Sequence, residues 1–428
     1  MKTYPVGFKS SVSEVASKLF ANLVNGNNFA SNDREIARLI GKILIYNSKV
    51  WKKPVNPSSS PIDVIDLFCG CGGASAGFLA VNHFLPTYRV IGAMDVDRDA
   101  CRSYGQLGVD PHEMDVRLLA RDEKILNRFL RTSNHDPTKP LILVGCPPCQ
   151  GFSSHRKKNW DDEEDGRNYL VEYFAKIAVK IQPDYVFMEN VPELLSEKYQ
   201  KHYSALEKIM RLAGYNVVST IVNMAEFGLP QARRRAIVLA SRGNVTLPRP
   251  FLKPEEFLTV RSTISHLEKI KPGVKNQKDQ LHITANHRKT TIDVIRSVPR
   301  DGGNRPKGIG PKCLDKVKGF SDVYGRLRWD SPSITITAYA RNPASGRYVH
   351  PEQNRGLSIR EAAMLQGFPY YYKFEGSFDS KFSQIGNAVP PLFASYMALH
   401  ILSDLAKNPM RYTVNETCSN SMKLALKV

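Results

Sequence analysis

From residue 62 onward the sequence alternates short apolar runs with longer helix-compatible stretches: IDVIDLF, RVIGAM, LILVG, DYVFM, VVSTIVNM and RAIVLA follow one another in this way. Short runs that stay apolar without a period-two pattern suit strands covered on both faces, and strands separated by helices pair in parallel. The pattern predicts an α/β fold built on a doubly wound, mostly parallel sheet. Such sheets gather their ligand-binding loops outside the carboxyl ends of the strands. The residues just past each run are chemically loaded: Asp66-Leu-Phe-Cys-Gly-Cys-Gly-Gly after the first, Asp95 after the second, Cys149-Gln150 after the third and Glu189-Asn190 after the fourth. One carboxylate at a strand end is ordinary. A reactive group after nearly every strand predicts a single site.

The rest of the chain is organised around that block. Within residues 1–60, SEVASKLFANLVNG and SNDREIARLIGKILIYNSKV carry apolar residues at helical spacing behind Ser or Asn caps, and KKPVNPSSSP reads as a linker. An N-terminal helical extension is therefore expected, followed by a catalytic domain over 61–240. Residues 241–355 are rich in Pro, Gly, Lys, Arg and His with no sustained helical period, which predicts a smaller irregular domain. A return segment over 356–405 ends in an amphipathic helix opened at Pro390-Pro391, and 406–428 is a tail.

Charge narrows the partner. The chain has 60 Lys+Arg against 41 Asp+Glu, a net +19, and such a surplus suits a polyanion whose condensed counterions are released on binding. General solubility is the plainer alternative. Seven cysteines without regular spacing, and a start (MKTYPVGFKSS) lacking the apolar core of a secretory signal, place the chain in a reducing compartment, cytosol or nucleus. No run is read as approaching the roughly 20 apolar residues of a membrane span.

DLFCGCGGASAGF is a glycine-rich turn between a strand and a helix, where backbone can approach a nucleotide closely. It is not the dinucleotide fingerprint, because the third glycine would fall at Ser75, and no Gly-Lys-Ser/Thr of a phosphate loop follows. A nucleoside cofactor without phosphates, such as S-adenosylmethionine, fits both absences. Asp95 stands where an acidic side chain accepts from ribose hydroxyls, with a helix cap as its alternative, and Asp115 could take an adenine amino group.

LILVGCPPCQGF runs a buried-type strand into two prolines and two cysteines. Cys146 and Cys149 could form a redox pair, half a zinc site or passive packing, or supply a nucleophile. The run PPCQGFS, followed by ENV at Glu189, PQARRR and QIGNAVP, resembles the C5-cytosine DNA methyltransferases, whose ordered motifs cover 62–240 and about 355–405.

That resemblance implies a Rossmann-like methyltransferase sheet, with 241–355 as target recognition domain. By it Cys149 attacks C6 of cytosine, Glu189 protonates or hydrogen-bonds N3, and Arg235 steadies O2, with Gln231 and Arg233 counted in the same Gln-x-Arg-x-Arg pattern. Phe68, Gly70, Gly72, Gly73, Asp95, Asp115, Leu170 and Asn387 match positions that contact S-adenosylmethionine. No metal is implied. Ser153, Ser154, His155 and Arg156 are candidates for a loop closing over a flipped base, or for a plain solvated loop. Cys146 has no role and is expected to pack passively.

The resemblance further implies double-stranded DNA as partner, a monomer on DNA, and a companion restriction endonuclease in a restriction-modification setting. The protein would be cytoplasmic and nucleoid-associated in a bacterium, nuclear in a eukaryote. Three rivals remain. They are the tRNA-modifying branch of the family, whose CFT motif is missing here; an idle DNA-binding regulator, disfavoured by intact Cys149, Glu189 and Arg235; and an NAD-dependent dehydrogenase, disfavoured by the glycine pattern.

Overall fold

The computed structural model describes residues 61–83, 87–148, 168–243, 245–316 and 322–407. The expectations for 1–60, for Cys149 and the loop beyond it, and for the tail after 407 fall outside the described residues. The chain divides into two compact units. The first holds the described residues up to Asn223 with Arg234–Arg249 and the chain from Ala394; the second holds Met224–Arg233 and Pro250–Phe393. The described strands are β1 (Ile62–Leu67), β2 (Tyr88–Asp95), β3 (His112–Glu113), β4 (Leu141–Gly145), β5 (Tyr185–Asn190), β6 (Asn216–Asn223), β7 (Gln231–Ala232), β8 (Arg234–Ser241) and β9 (Ser333–Ile334).

In the first unit seven strands hydrogen-bond in the order β3-β2-β1-β4-β5-β8-β6. Strand β8 is antiparallel to β5 and β6, and the remaining pairs are parallel. Every residue of β1, β4 and β5 is buried, which is why their sequences show no alternation. Helix Gly73–Val81 is buried along its whole length. Helix Leu170–Ile181 turns Leu170, Val171, Phe174, Ala175, Ile177 and Ala178 inward, and helix Gln200–Leu212 does so with Leu206, Ile209 and Met210. Of these, Val171, Phe174, Ala175, Ile177, Ala178, Leu206, Ile209 and Met210 join Ile65, Leu143, Val186 and Met188 in one core.

The chain steps outward from β1 through β2 to β3, then returns on the other side of β1 as β4. The strand order reverses there, and a crevice opens beyond the carboxyl ends at such a reversal. Leu67 is registered opposite Gly145, and the Cys146 N–H donates to the Leu67 carbonyl at 3.4 Å. The glycine-rich loop and the Cys-Pro-Pro segment thus leave the sheet side by side.

The second unit is built from short pieces: the parallel pair β7–β9 and helices Val260–Ile264, Lys289–Ser297, Cys313–Lys316, Ile359–Leu365 and Phe378–Asn387. Helix Lys289–Ser297 went unforeseen because only Val294 and Ile295 of it are buried, too few to set a period. Buried arginines tie the pieces together. Arg326 donates to the carbonyls of Ile295, Val298, His350 and Gln353 and to Oδ1 of Asn354, and Arg355 pairs with Glu361 at 2.7 Å.

One expectation needs correction. The stretch Phe378–Leu405 has the length and mean hydropathy of a membrane span, but 83% of its apolar window is buried. It is two helices, Phe378–Asn387 and Pro391–Lys407, interrupted over 388–390 where the prolines begin.

Gly145 ends β4 hard against the core, where an added Cβ would lie 2.2 Å from the Phe174 ring. Gly145→Ala is expected to destabilise the protein by about 1–3 kcal/mol through overpacking, read as a lowered midpoint in thermal unfolding.

Candidate active site

The loop after β1 bends through three left-handed residues, Phe68 (φ 55°), Gly70 (φ 51°) and Gly72 (φ 88°). A bulky side chain such as that of Phe68 seldom adopts this conformation, and such residues collect at ligand-contacting turns. The Gly70 N–H donates to Asp95 Oδ2 at 2.8 Å, joining the ends of β1 and β2. A Cβ built on Gly70 would meet nothing within 4 Å, so open space lies in front of the loop. Gly73 opens the helix behind it.

Asp95 is not a helix cap. Asp97 caps helix Arg98–Tyr104, accepting from the Ala100 N–H at 3.0 Å. Burial raises the Asp95 carboxyl above its ordinary value, while the N–H groups of Asp97 and Gly70 hold it down. Asp115, past β3, accepts from the Arg117 N–H at 2.9 Å and pairs with its guanidinium, which keeps the carboxyl ionised below the usual range. Leu170 is buried at the start of its helix.

Beneath the loop lies a residue that the sequence placed at the strand end without a role of its own. Asp66 is 1% exposed and accepts from Ser75 Oγ at 2.6 Å, and that hydroxyl lies 2.6 Å from Tyr104 OH. Burial, reinforced by the charge of Asp95, pushes the Asp66 carboxyl up to about 7.

At the end of β5, Glu189 is 6% exposed and pairs through Oε1 with Arg235 Nε at 3.0 Å. Because β8 runs antiparallel, its beginning lies beside the end of β5, with Asn190 opposite Ala236. Asn190, named at this strand end but given no role there, donates from Nδ2 to the Pro147 carbonyl at 3.1 Å and accepts from the Val191 N–H at 2.9 Å. The segment leading to Cys149 is thereby fastened to the strand end that bears Glu189. Cys146 is partly buried.

Gln231, Arg233 and Asn387 belong to the second unit. Gln231 is fully buried, donating to Leu365 O at 3.1 Å and Gln366 Oε1 at 2.7 Å and accepting from the Ile336 N–H at 2.9 Å. Arg233, 2% exposed, spans the carbonyls of Ile336, Gly386 and Ala388 at 3.3–3.5 Å. It grips the backbone on either side of Asn387, which itself is exposed at the end of its helix.

The doubly wound sheet with this crevice is a Rossmann-like methyltransferase fold. It is shared with a prophage-encoded E. coli protein assigned as a DNA modification methyltransferase, with a TM-score of 0.59 and 22% identity over 81% of this chain and 99% of that one. Residues 62–403 match the family described as C-5 cytosine-specific DNA methylase. The chain is 33% identical over 350 residues to the type II methylase M.HgiDII of Herpetosiphon aurantiacus, covering 79% of this chain and 94% of the relative. It is 31% identical over 370 residues to the type II methyltransferase M1.HphI of Haemophilus parahaemolyticus, covering 84% and 92%. The chain belongs to the C-5 cytosine-specific DNA methylases and is a DNA (cytosine-5-)-methyltransferase.

Asp66 gives the site a pH signature. In the unfolded chain its carboxyl titrates near the ordinary ~3.9, and in the fold at about 7. The fold holds this proton more tightly, so the associated stability is complete below the unfolded value and is lost as pH rises through 7. Asp66→Asn cannot titrate. Its melting temperature relative to wild type is expected to climb between about pH 5 and 8, measured by thermal unfolding across that range.

Proposed function

We propose that the enzyme transfers a methyl group from S-adenosylmethionine to C5 of a cytosine flipped out of double-stranded DNA, through a covalent adduct of Cys149 at C6. The observation that carries this reading is the Asn190–Pro147 hydrogen bond beside the Glu189–Arg235 pair. It ties the approach to the proposed nucleophile to the proposed acid on one strand end.

The crevice suits the cofactor. Open space in front of Gly70, a carboxylate at Asp95 and an ionised carboxylate at Asp115 favour a ribose and an adenine amino group. Phe68, Gly70, Gly72, Gly73, Asp95, Asp115 and Leu170 would hold it, and the family resemblance adds Asn387. When bound, it supplies an electrophilic methyl sulfonium.

Cytosine C5 is too weak a nucleophile unaided. Addition of the Cys149 thiolate to C6 makes an enamine with electron density on C5. Glu189 shares a proton with N3, absorbing the charge that addition would build in the ring, and Arg235 orients Glu189 and faces O2. Loss of the C5 proton then expels the thiolate and restores the aromatic ring. Gln231 and Arg233, spent on internal carbonyls and amides, act as positioning residues rather than touching the base.

Flipping costs a few kcal/mol, which phosphate contacts from the basic surface can offset. The choice of cytosine is assigned to 241–355. The type II names of the relatives accord with a companion restriction endonuclease; a monomer on DNA, cytoplasmic and nucleoid-associated, belongs to the same reading.

Expression in a methylation-free bacterium followed by bisulfite sequencing should reveal converted-resistant cytosines at one site. Cys149→Ala should abolish them, and 5-fluorocytosine at the site should trap only wild type in a denaturation-resistant adduct. An adduct formed by the Ala variant would sink the proposal. Asn190→Ala should keep the fold and S-adenosylmethionine affinity while slowing adduct formation at least about tenfold, since misplacement by about 1 Å costs on the order of 10²-fold; unchanged single-turnover trapping would remove Asn190 from the mechanism.

A further inference from the structure

The segment TITAYARN (335–342) in the second unit is a tight turn held with unusual firmness. Its base is gripped at Ile336, whose N–H donates to Gln231 Oε1 at 2.9 Å and whose carbonyl accepts from Arg233 at 3.3 Å. Gly386 lies so close that an added Cβ would sit 2.1 Å from the Thr337 carbonyl carbon. The turn closes on itself through Ala340 N–H to Thr337 O at 3.0 Å, Asn342 N–H to Tyr339 O at 2.9 Å and Ser345 Oγ to Tyr339 O at 2.7 Å.

At the apex stands Tyr339, 64% exposed, the most exposed large aromatic among the described residues. The Arg341 guanidinium lies 5.6 Å from its ring centroid and is itself fixed by Asp379 at 2.8 Å. A single exposed aromatic ordinarily carries no message. This one is ordered in advance by two buried side chains of the Gln-Ala-Arg-Arg-Arg segment and backed by a charged group. A ring so held loses little freedom on stacking.

We infer that Tyr339 is a stacking platform for a base of the bound duplex, carrying part of the load of unstacking when the target cytosine leaves the helix. The inference rests on the base-flipping reading above. Aromatic stacking tolerates any base, so Tyr339 contributes to rate and flipping rather than to reading base edges. Arg341 and Asp379 act through it by fixing the ring.

The test uses the full chain and a duplex containing the site mapped for wild type. Tyr339→Ala should lower kcat/KM roughly 5- to 150-fold, the equivalent of one base–aromatic stack, with melting temperature and S-adenosylmethionine affinity unchanged. Fluorescence of 2-aminopurine at the target position should rise less with Tyr339→Ala than with wild type, and Tyr339→Trp should restore it. An abasic site opposite the target removes part of the unstacking cost, so it should narrow the gap between Tyr339→Ala and wild type. Tyr371→Ala, which removes another exposed aromatic, should behave as wild type. Activity of Tyr339→Ala within about twofold of wild type, an equal loss with Tyr371→Ala, or an undiminished deficit on the abasic duplex overturns the inference. Wild type that methylates no cytosine would overturn the function instead, which keeps the two failures distinct.

Discussion

The adjacency of β1 and β4 governs the first unit. With Leu67 set against Gly145, two loops of different chemistry are obliged to begin at neighbouring points on one sheet edge. One is a left-handed glycine turn with open space before Gly70; the other is a proline-stiffened segment leading towards Cys149 in the sequence. The reversal of strand order opens the crevice onto which both connections leave. The close fit of Gly145 against Phe174 shows how little slack that edge contains.

The two units solve the problem of internal order differently. The first relies on area: fully buried strands covered by helices on an extended apolar face. The second has few long elements and uses buried arginines as fasteners. Arg233, Arg326 and Arg355 are among its largest fully buried side chains. Arg326 meets four backbone carbonyls and a side-chain amide oxygen, and burial brings its guanidinium down to about 10. A planar five-donor fork suits this work, since it satisfies carbonyls that regular secondary structure would otherwise pair.

Strands and strand ends were legible in the sequence because burial on both faces leaves uninterrupted apolar runs, and the acidic groups at Asp95 and Glu189 fall where the runs stop. Arg235 was legible only through resemblance: β8 is antiparallel, so the residue that pairs with Glu189 stands at the start of the run instead of after it. The direction of a side chain was not legible at all. Asn190 points to Pro147, Asp66 to Ser75, and Gln231 and Arg233 into their own unit, and each of these depends on contacts between distant segments. The irregular region was recognised as irregular, but its arginine fasteners bond to carbonyls that leave no trace in composition.

The first unit is also discontinuous in time. The Tyr88 hydroxyl donates to the Ala398 carbonyl at 2.6 Å across 310 residues of chain, and Asp404 accepts from Tyr185 and Thr246. At roughly 5–20 residues per second, a ribosome needs about 15–60 s to deliver the helix that β2 and β5 are waiting for. Throughout that interval helix Gly73–Val81, whose Phe78 ring meets Tyr88 at 5.1 Å, covers this face without its later neighbour. Until then Tyr88 and Tyr185 lack the carbonyl and carboxylate that receive their hydroxyls in the finished fold, so the first unit is completed only after the second has been synthesised.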